Sequence, residues 1–320
     1  MGKTLLRGNN KSIELTGVNY SLIIELGIVL GLALGMGLLP SGFDWVRWFV
    51  PVTRGELPLY SQLGFWNPPW TLWLLMPLVA LPERVGLVVT NVLSGLLVIV
   101  AIRIMDGEDA WTSLLSLPFL WLLWLGQIDV LSLLGIAVGY VATCRKDTLL
   151  MAISLSLLSV KPQIGLIVVL YFLLKSKLWK SLWGVVLLFL LSLWLYGAWP
   201  LKLWSVRPGL NIVKQNVSLW PYIGPLTLPI YLLCLIPQRN MLRKLGLLLA
   251  ANALAFPYIR PYSLFVLVCV MAGIVDRKQM IAVLAMSYTL FIGLGFLLPV
   301  FCLVILLKDE IVKAARRIFT

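Results

Sequence analysis

Long apolar runs rich in Leu, Val and Ile, broken by short polar segments, fill almost the whole chain. A bilayer crossing needs about 20 apolar residues, and backbone groups in lipid must pair within the protein, so these runs predict roughly eleven hydrophobic helices. No stretch is left over for a separate soluble domain, and residues 1–320 are expected to form one unit. The basic, polar start, Met1 to Thr16, precedes an apolar run from Ser21 to Leu39. That run is longer than a secretory h-region and lacks a cleavage signature, so it is expected to be a retained first helix.

Charge placement orients the helices. With the N-terminus inside, the expected inner loops carry Arg145-Lys146, Lys175-Ser176-Lys177, Lys180, Arg239, Arg243-Lys244, Arg277-Lys278 and the basic tail from Lys308 to Arg317, as the positive-inside rule requires. This holds only if Asn67 to Leu81 is not a full crossing. Residues 41–84 then form one large outer loop with membrane-surface helices, started by Pro68-Pro69. A second outer loop, 200–219, carries Lys202, Arg207 and Lys214. Spans are expected near 221–236 and 242–256, with an outer turn at Pro257-Tyr258-Ile259-Arg260-Pro261. The run from about 280 to 307 is too long for one span and short for two, with Pro299 near its middle.

Composition agrees with this all-α, polytopic membrane class: 61% of the 320 residues are hydrophobic and 12% are charged, with a mean hydropathy of +0.98. The formal charge of +13 needs no nucleic acid, because most of it lies on the inner loops, facing anionic lipid headgroups. Histidine is absent, which removes the commonest acid-base group and metal ligand. Cys144, Cys234, Cys269 and Cys302 are scattered without a CxxC pair and read as ordinary buried side chains. There is no P-loop, dinucleotide fingerprint or zinc-protease motif.

The most distinctive polar residue is Asp44, a carboxylate at the expected lipid-water boundary in Gly42-Phe43-Asp44-Trp45-Val46-Arg47-Trp48. The same outer face gathers Asn67, Gln127, Asp129, Lys161 and Arg260. An acid among cationic and amide groups there suits an anionic, lipid-linked substrate. Other roles stay open: Lys161 can snorkel from a helix end, Arg260 can anchor at the interface, and Asn67, Gln127 and Asp129 can cap helices. Glu25, inside the first span on its inner half, is expected to be a neutral or hydrogen-bonded helix contact. Tryptophans 45, 48, 66, 70, 73, 124, 199, 204 and 220 are expected to form mostly an interfacial aromatic belt. The Asn216-Val217-Ser218 sequon is a short match of a kind frequent by chance.

In order, Asp44, Gly55-x-x-x-x-Tyr60, Asn67-Pro68-Pro69, Gly126-Gln127 and Lys161-Pro162 resemble the glycosyltransferase C superfold. Within it they are most similar to the bacterial polyprenyl-phosphate-mannose-dependent alpha-mannosyltransferases, glycosyltransferase family 87. The resemblance covers the first half well and the second half in general layout; the family tends to run longer. It implies inverting transfer of a sugar, with mannose leading, from a polyprenyl phosphate to an acceptor hydroxyl on a glycolipid, glycan or protein. The reaction would sit on the extracytoplasmic face of the cell membrane. It places the general base on Asp44 and substrate contacts on Lys161, Arg260, Gln127, Asn67 and Tyr60, with no metal or cofactor required. A transporter or flippase of lipid-linked sugars is the rival, although it would be expected to carry inverted repeats.

Overall fold

The structure, a computed structural model, describes residues 20–60, 65–205, 216–238 and 240–319. Arg207, Lys214 and Arg239, named above among the loop cations, lie outside the described residues, as does the basic N-terminal stretch. The described residues contain helices and no strand. The all-α class therefore holds.

Helix α1 (Tyr20–Leu38) is followed by a π-helical turn, Trp45–Phe49, that runs into α2 (Val50–Thr53). Then come α3 (Trp70–Val79), α4 (Glu83–Ile104), α5 (Trp111–Leu114), α6 (Leu117–Leu125), α7 (Val130–Arg145), α8 (Thr148–Leu158) and α9 (Pro162–Ser176). The second half holds α10 (Leu182–Tyr196), α11 (Trp199–Ser205), α12 (Trp220–Ile223), α13 (Met241–Ala255), α14 (Phe265–Ala272), α15 (Arg277–Ser287) and α16 (Leu297–Phe319). Short 3₁₀ turns precede α10 and α14, and a longer 3₁₀ stretch, Gly224–Leu235, follows α12.

Three helical segments are long and apolar enough to cross a bilayer by themselves: Tyr20–Leu38, Glu83–Ile104 and Trp179–Tyr196. Several others are apolar but shorter. Helix α3 has 10 residues, about 15 Å at the α-helical rise, half the hydrocarbon thickness. By length it does not cross alone. Its start at Trp70, directly after Pro68-Pro69, reflects the ease with which proline opens a helix. The ambiguous last run is two helices, broken before Pro299 rather than at it. Gly293 takes a positive φ of 75°, and the chain restarts at Leu297 with Pro299 in the first turn of α16, where a missing N–H costs no helical bond.

Burial separates the helices by role. Helices α13 and α14 are buried on nearly every side, and with Val98 and Ile102 of α4 and Leu133 and Ile136 of α7 they form the main core. Helix α10 instead buries only Ser192 and presents leucines and tryptophans outward, as a lipid-facing helix does. Helix α1 buries one stripe, Glu25, Val29 and Ala33. It approaches α4 closely because Gly95 has no Cβ; one there would lie 2.6 Å from Val29.

Glu25 is fully buried and pairs with Arg103 of α4 at 3.0 Å. It also accepts the Ala110 backbone N–H at 2.6 Å and the Ser21 hydroxyl at 3.4 Å. The expected hydrogen-bonded contact is thus an ion pair that ties α1 to α4 and to the start of α5. Removing one partner leaves a buried charge uncompensated. Arg103→Leu is expected to lower stability by about 3 kcal/mol, the lower end of the usual cost, since Arg103 is partly solvent-exposed. Chemical unfolding in detergent measures this, and a Glu25→Leu/Arg103→Leu double variant should recover most of the loss.

Candidate active site

Three of the expected belt tryptophans, Trp45, Trp70 and Trp199, are core. Trp45 is completely buried, and with Phe49, Tyr60, Phe65, Trp70 and Trp199 it forms a second apolar cluster beneath the 45–79 segment. Tyr60 and Trp70 both pack on the Trp199 ring, at centroid distances of 6.0 and 5.8 Å. Trp124 and Trp204 remain exposed, as belt residues would be.

Two glycines let Asp44 reach its neighbours. Gly42, at φ 78°, donates its N–H to the Trp124 carbonyl at 2.7 Å. Gly126, at φ 71°, ends α6 in a left-handed cap. There the Gln127 N–H bonds the Leu122 carbonyl at 3.0 Å and the Gly126 N–H bonds that of Leu123 at 3.2 Å. A Cβ on Gly126 would lie 2.6 Å from the Cβ of Trp45. The Asp44 turn and the Gln127 turn are in direct backbone contact for this reason.

Lys161 precedes Pro162, which opens α9, and the following turn is held by the Lys161 carbonyl accepting from Ile164 and Gly165 at 3.0 and 2.9 Å. Arg260 lies on the turn between α13 and α14. That turn is fastened by Asn216, whose amide donates to the Pro257 carbonyl at 2.7 Å and accepts from the Ile259 N–H at 2.9 Å. With its amide nitrogen and oxygen both engaged and its surface buried, Asn216 is a structural clasp and offers no group for a glycan.

These turns meet around a cavity of about 340 Å³ lined by Asp44, Asn67, Gln127, Lys161 and Arg260, together with aromatics including Trp48, Trp66, Trp121, Tyr258 and Tyr262. From its wall a continuous chain of polar contacts runs into the protein. The Gln127 amide nitrogen donates to Asp44 Oδ2, and Gln127 Oε1 accepts from Lys161 Nζ at 3.1 Å. Lys161 Nζ pairs with Asp129 Oδ2 at 3.1 Å, and Asp129 Oδ1 accepts from the Ser263 hydroxyl at 2.7 Å. Lys161 also lies over the Tyr262 ring, 5.5 Å from its centroid.

Burial raises the Asp44 carboxyl above its ordinary value, and Asp129 adds to this. The Gln127 hydrogen bond and then the Lys161 and Arg260 charges pull the other way. Arg260 is half-buried, stacks 5.1 Å from the Tyr258 ring centroid and shares a hydrogen bond with that side chain. Among the described residues it makes no ion pair.

Two readings of single residues change. Asp129 stands at the N-cap position of α7 but its side chain caps nothing. Instead it is the buried counter-ion of Lys161. Tyr60 does not line the cavity; it is buried at a positive φ of 62°, and its hydroxyl donates to the Asn67 carbonyl at 2.7 Å. Asn67 does line the cavity, and α3 has Pro69 rather than Asn67 at its N-cap. Tyr258 and Tyr262 were not singled out by sequence, although their alternation with Arg260 at positions 258, 260 and 262 was a signal for a side-chain cluster on one turn.

Apolar helices around an acid-and-cation cavity define a helical membrane protein with a polar cavity. The model of glycosyltransferase family 87 matches residues 65–298. That is well over half of the chain, and the protein belongs to this family. It is therefore a glycosyltransferase, and the transporter reading is not favoured. The match begins beyond Asp44 and includes Asn67, Gln127, Lys161 and Arg260. No curated protein and no solved structure matches the chain.

The glycine contact is open to test. Gly126→Ala should lower stability by about 1–3 kcal/mol, because the new Cβ meets Trp45 and the backbone stays left-handed. A thermal shift in detergent, compared with a Gly27→Ala control where nothing lies within 4 Å of the new Cβ, measures the difference.

Proposed function

We propose that the protein transfers a sugar, with mannose the leading case, from a polyprenyl phosphate to an acceptor hydroxyl on the extracytoplasmic side of the cell membrane. Asp44 acts as general base. Asp44 takes the acceptor proton, the acceptor oxygen attacks the anomeric carbon from the face opposite the leaving group, and the bond to phosphate breaks with inversion. The lipid phosphate leaves carrying the electron pair, and its growing charge is met by Arg260.

The observation that carries this reading is the placement of Asp44 and Arg260 on one cavity wall system: a carboxylate raised toward basicity, and a guanidinium with donors to spare. Lys161 borders the same space, but Asp129 already answers its charge. Family membership supports sugar transfer. A lipid-linked donor is supported by an apolar hollow of about 450 Å³, lined by Met36, Leu117, Leu120, Trp121 and Trp124 among others. Trp121 borders both spaces, so a phosphate at Arg260 could have its lipid tail descend along α6. The acceptor class, whether glycolipid, glycan or protein, is left to assay.

Transfer in proteoliposomes from polyprenyl-phospho-mannose tests the reading. Asp44→Asn should lower kcat by about 10²- to 10⁴-fold with expression unchanged; retained turnover sinks the base assignment. Arg260→Ala should lower kcat/KM for the donor by about 10²- to 10³-fold, as losing one preorganised donor does. The pH profile gives a separate check. A base works only when deprotonated, and burial raises the Asp44 carboxyl above its ordinary 3.8. The acid limb of kcat/KM should accordingly lie above the unperturbed aspartate value, with activity lost as pH falls through it. An acid limb at the unperturbed value would contradict a buried Asp44 base.

A further inference from the structure

Gln127 has two different ends, and its neighbours dictate which way it points. Lys161 is a donor only, so the Gln127 end facing it at 3.1 Å must be the carbonyl oxygen. The other end, the amide nitrogen, then faces Asp44. A flipped amide would set NH₂ against ammonium and oxygen against carboxylate, repulsive at both ends. The lysine itself cannot turn away, because Asp129, wholly buried, holds it at 3.1 Å and is held in turn by Ser263 at 2.7 Å.

We propose that Asp129, Lys161 and Gln127 are positioning residues: the buried ion pair locks the Gln127 amide, and the amide aims the Asp44 carboxylate into the cavity. This rests on Asp44 being the base. It reassigns Lys161 from a phosphate ligand to a fixed part of the frame, and leaves Arg260 as the cation for an incoming anion. Oxygen Oδ2 of Asp44 already accepts from the amide, which favours Oδ1 as the atom that takes the proton. Positional error of this kind is costly, since about 1 Å of misplacement can cost about 100-fold in rate.

The test replaces the ion pair by apolar residues of similar size, Asp129→Leu/Lys161→Met, which removes both charges together and avoids stranding one. Donor KM and kcat are measured in proteoliposomes together with the pH profile. The charged and titratable groups facing Asp44 are Lys161, Arg260 and Asp129, with Tyr258 and Tyr262 on the adjoining turn. The expected result is a kcat lower by about 10- to 100-fold and donor KM within twofold of wild type, with an acid limb moved to higher pH as the Lys161 charge is lost and the amide loosens.

A raised donor KM with kcat retained overturns the proposal and returns Lys161 to the phosphate. Wild-type constants in a folded double variant overturn it as well. If that variant does not fold, Gln127→Leu, which leaves the ion pair intact, must show the same loss of kcat, and wild-type constants there overturn the proposal. If Asp44→Asn retains turnover, the base reading falls by itself. The positioning claim is then decided by infrared titration of the Asp44 carboxyl, read as wild type minus Asp44→Asn, with Gln127 present and in a Gln127→Leu background: removing the ion pair takes away the Lys161 charge in both, so a larger upward shift with Gln127 present supports the claim and an equal shift overturns it.

Discussion

Backbone groups in a bilayer have no water to turn to, and this constraint decides where irregular chain is allowed. Away from helices, the backbone must be buried in protein or border a wet cavity. The described breaks after α1, α6, α8 and α13 converge for that reason. Gly42 bonds Trp124, Gln127 bonds Lys161, and Asn216 bonds the turn that carries Arg260. Polar side chains ride on these breaks, so gathering the breaks also gathers the chemistry. The active-site candidate is a by-product of satisfying peptide groups, and the aromatic cluster around Trp45 and Trp199 is the apolar floor that holds them.

The cavity balances its charges before any substrate enters. Asp44 and Asp129 oppose Lys161 and Arg260, while the chain as a whole carries +13. On the proposed reading, a bound lipid phosphate adds negative charge near Asp44 and makes its carboxylate more basic. Donor and base would then be coupled through Coulomb attraction and repulsion alone. The two cations are not equivalent in this balance. Lys161 is paired with Asp129, whereas Arg260 makes no ion pair among the described residues and, on the proposed reading, answers the substrate.

Much of this was legible in the sequence, and for identifiable reasons. Long apolar runs announce helices, and the motif order from Asp44 to Lys161-Pro162 places the family. Asn67, Gln127, Lys161 and Arg260, named from the chain, line one cavity with Asp44. The partner of Asp129 was not legible, because an acid at the start of a helix has an ordinary local explanation and only the fold brings Lys161 to it. Tyr60 belongs to the motif order yet supports Asn67 from below, a distinction that depends on which way a buried ring faces. The tryptophans deceived through composition: the same ring suits an interface or a core, and neighbours decide. Helix breaks near residue 293 depend on backbone angles that a hydropathy run does not encode.

The stretch Gly224–Leu235 has 12 residues in 3₁₀ form, far beyond the usual three or four. Its prolines, Pro225 and Pro229, lack the N–H that an α-helical ladder would use. At the 3₁₀ rise of about 2.0 Å it extends about 24 Å, where an α-helix of equal length covers about 18 Å. A tighter winding thus carries a short apolar run farther along its axis. The chain gains reach by changing its pitch, without spending additional residues.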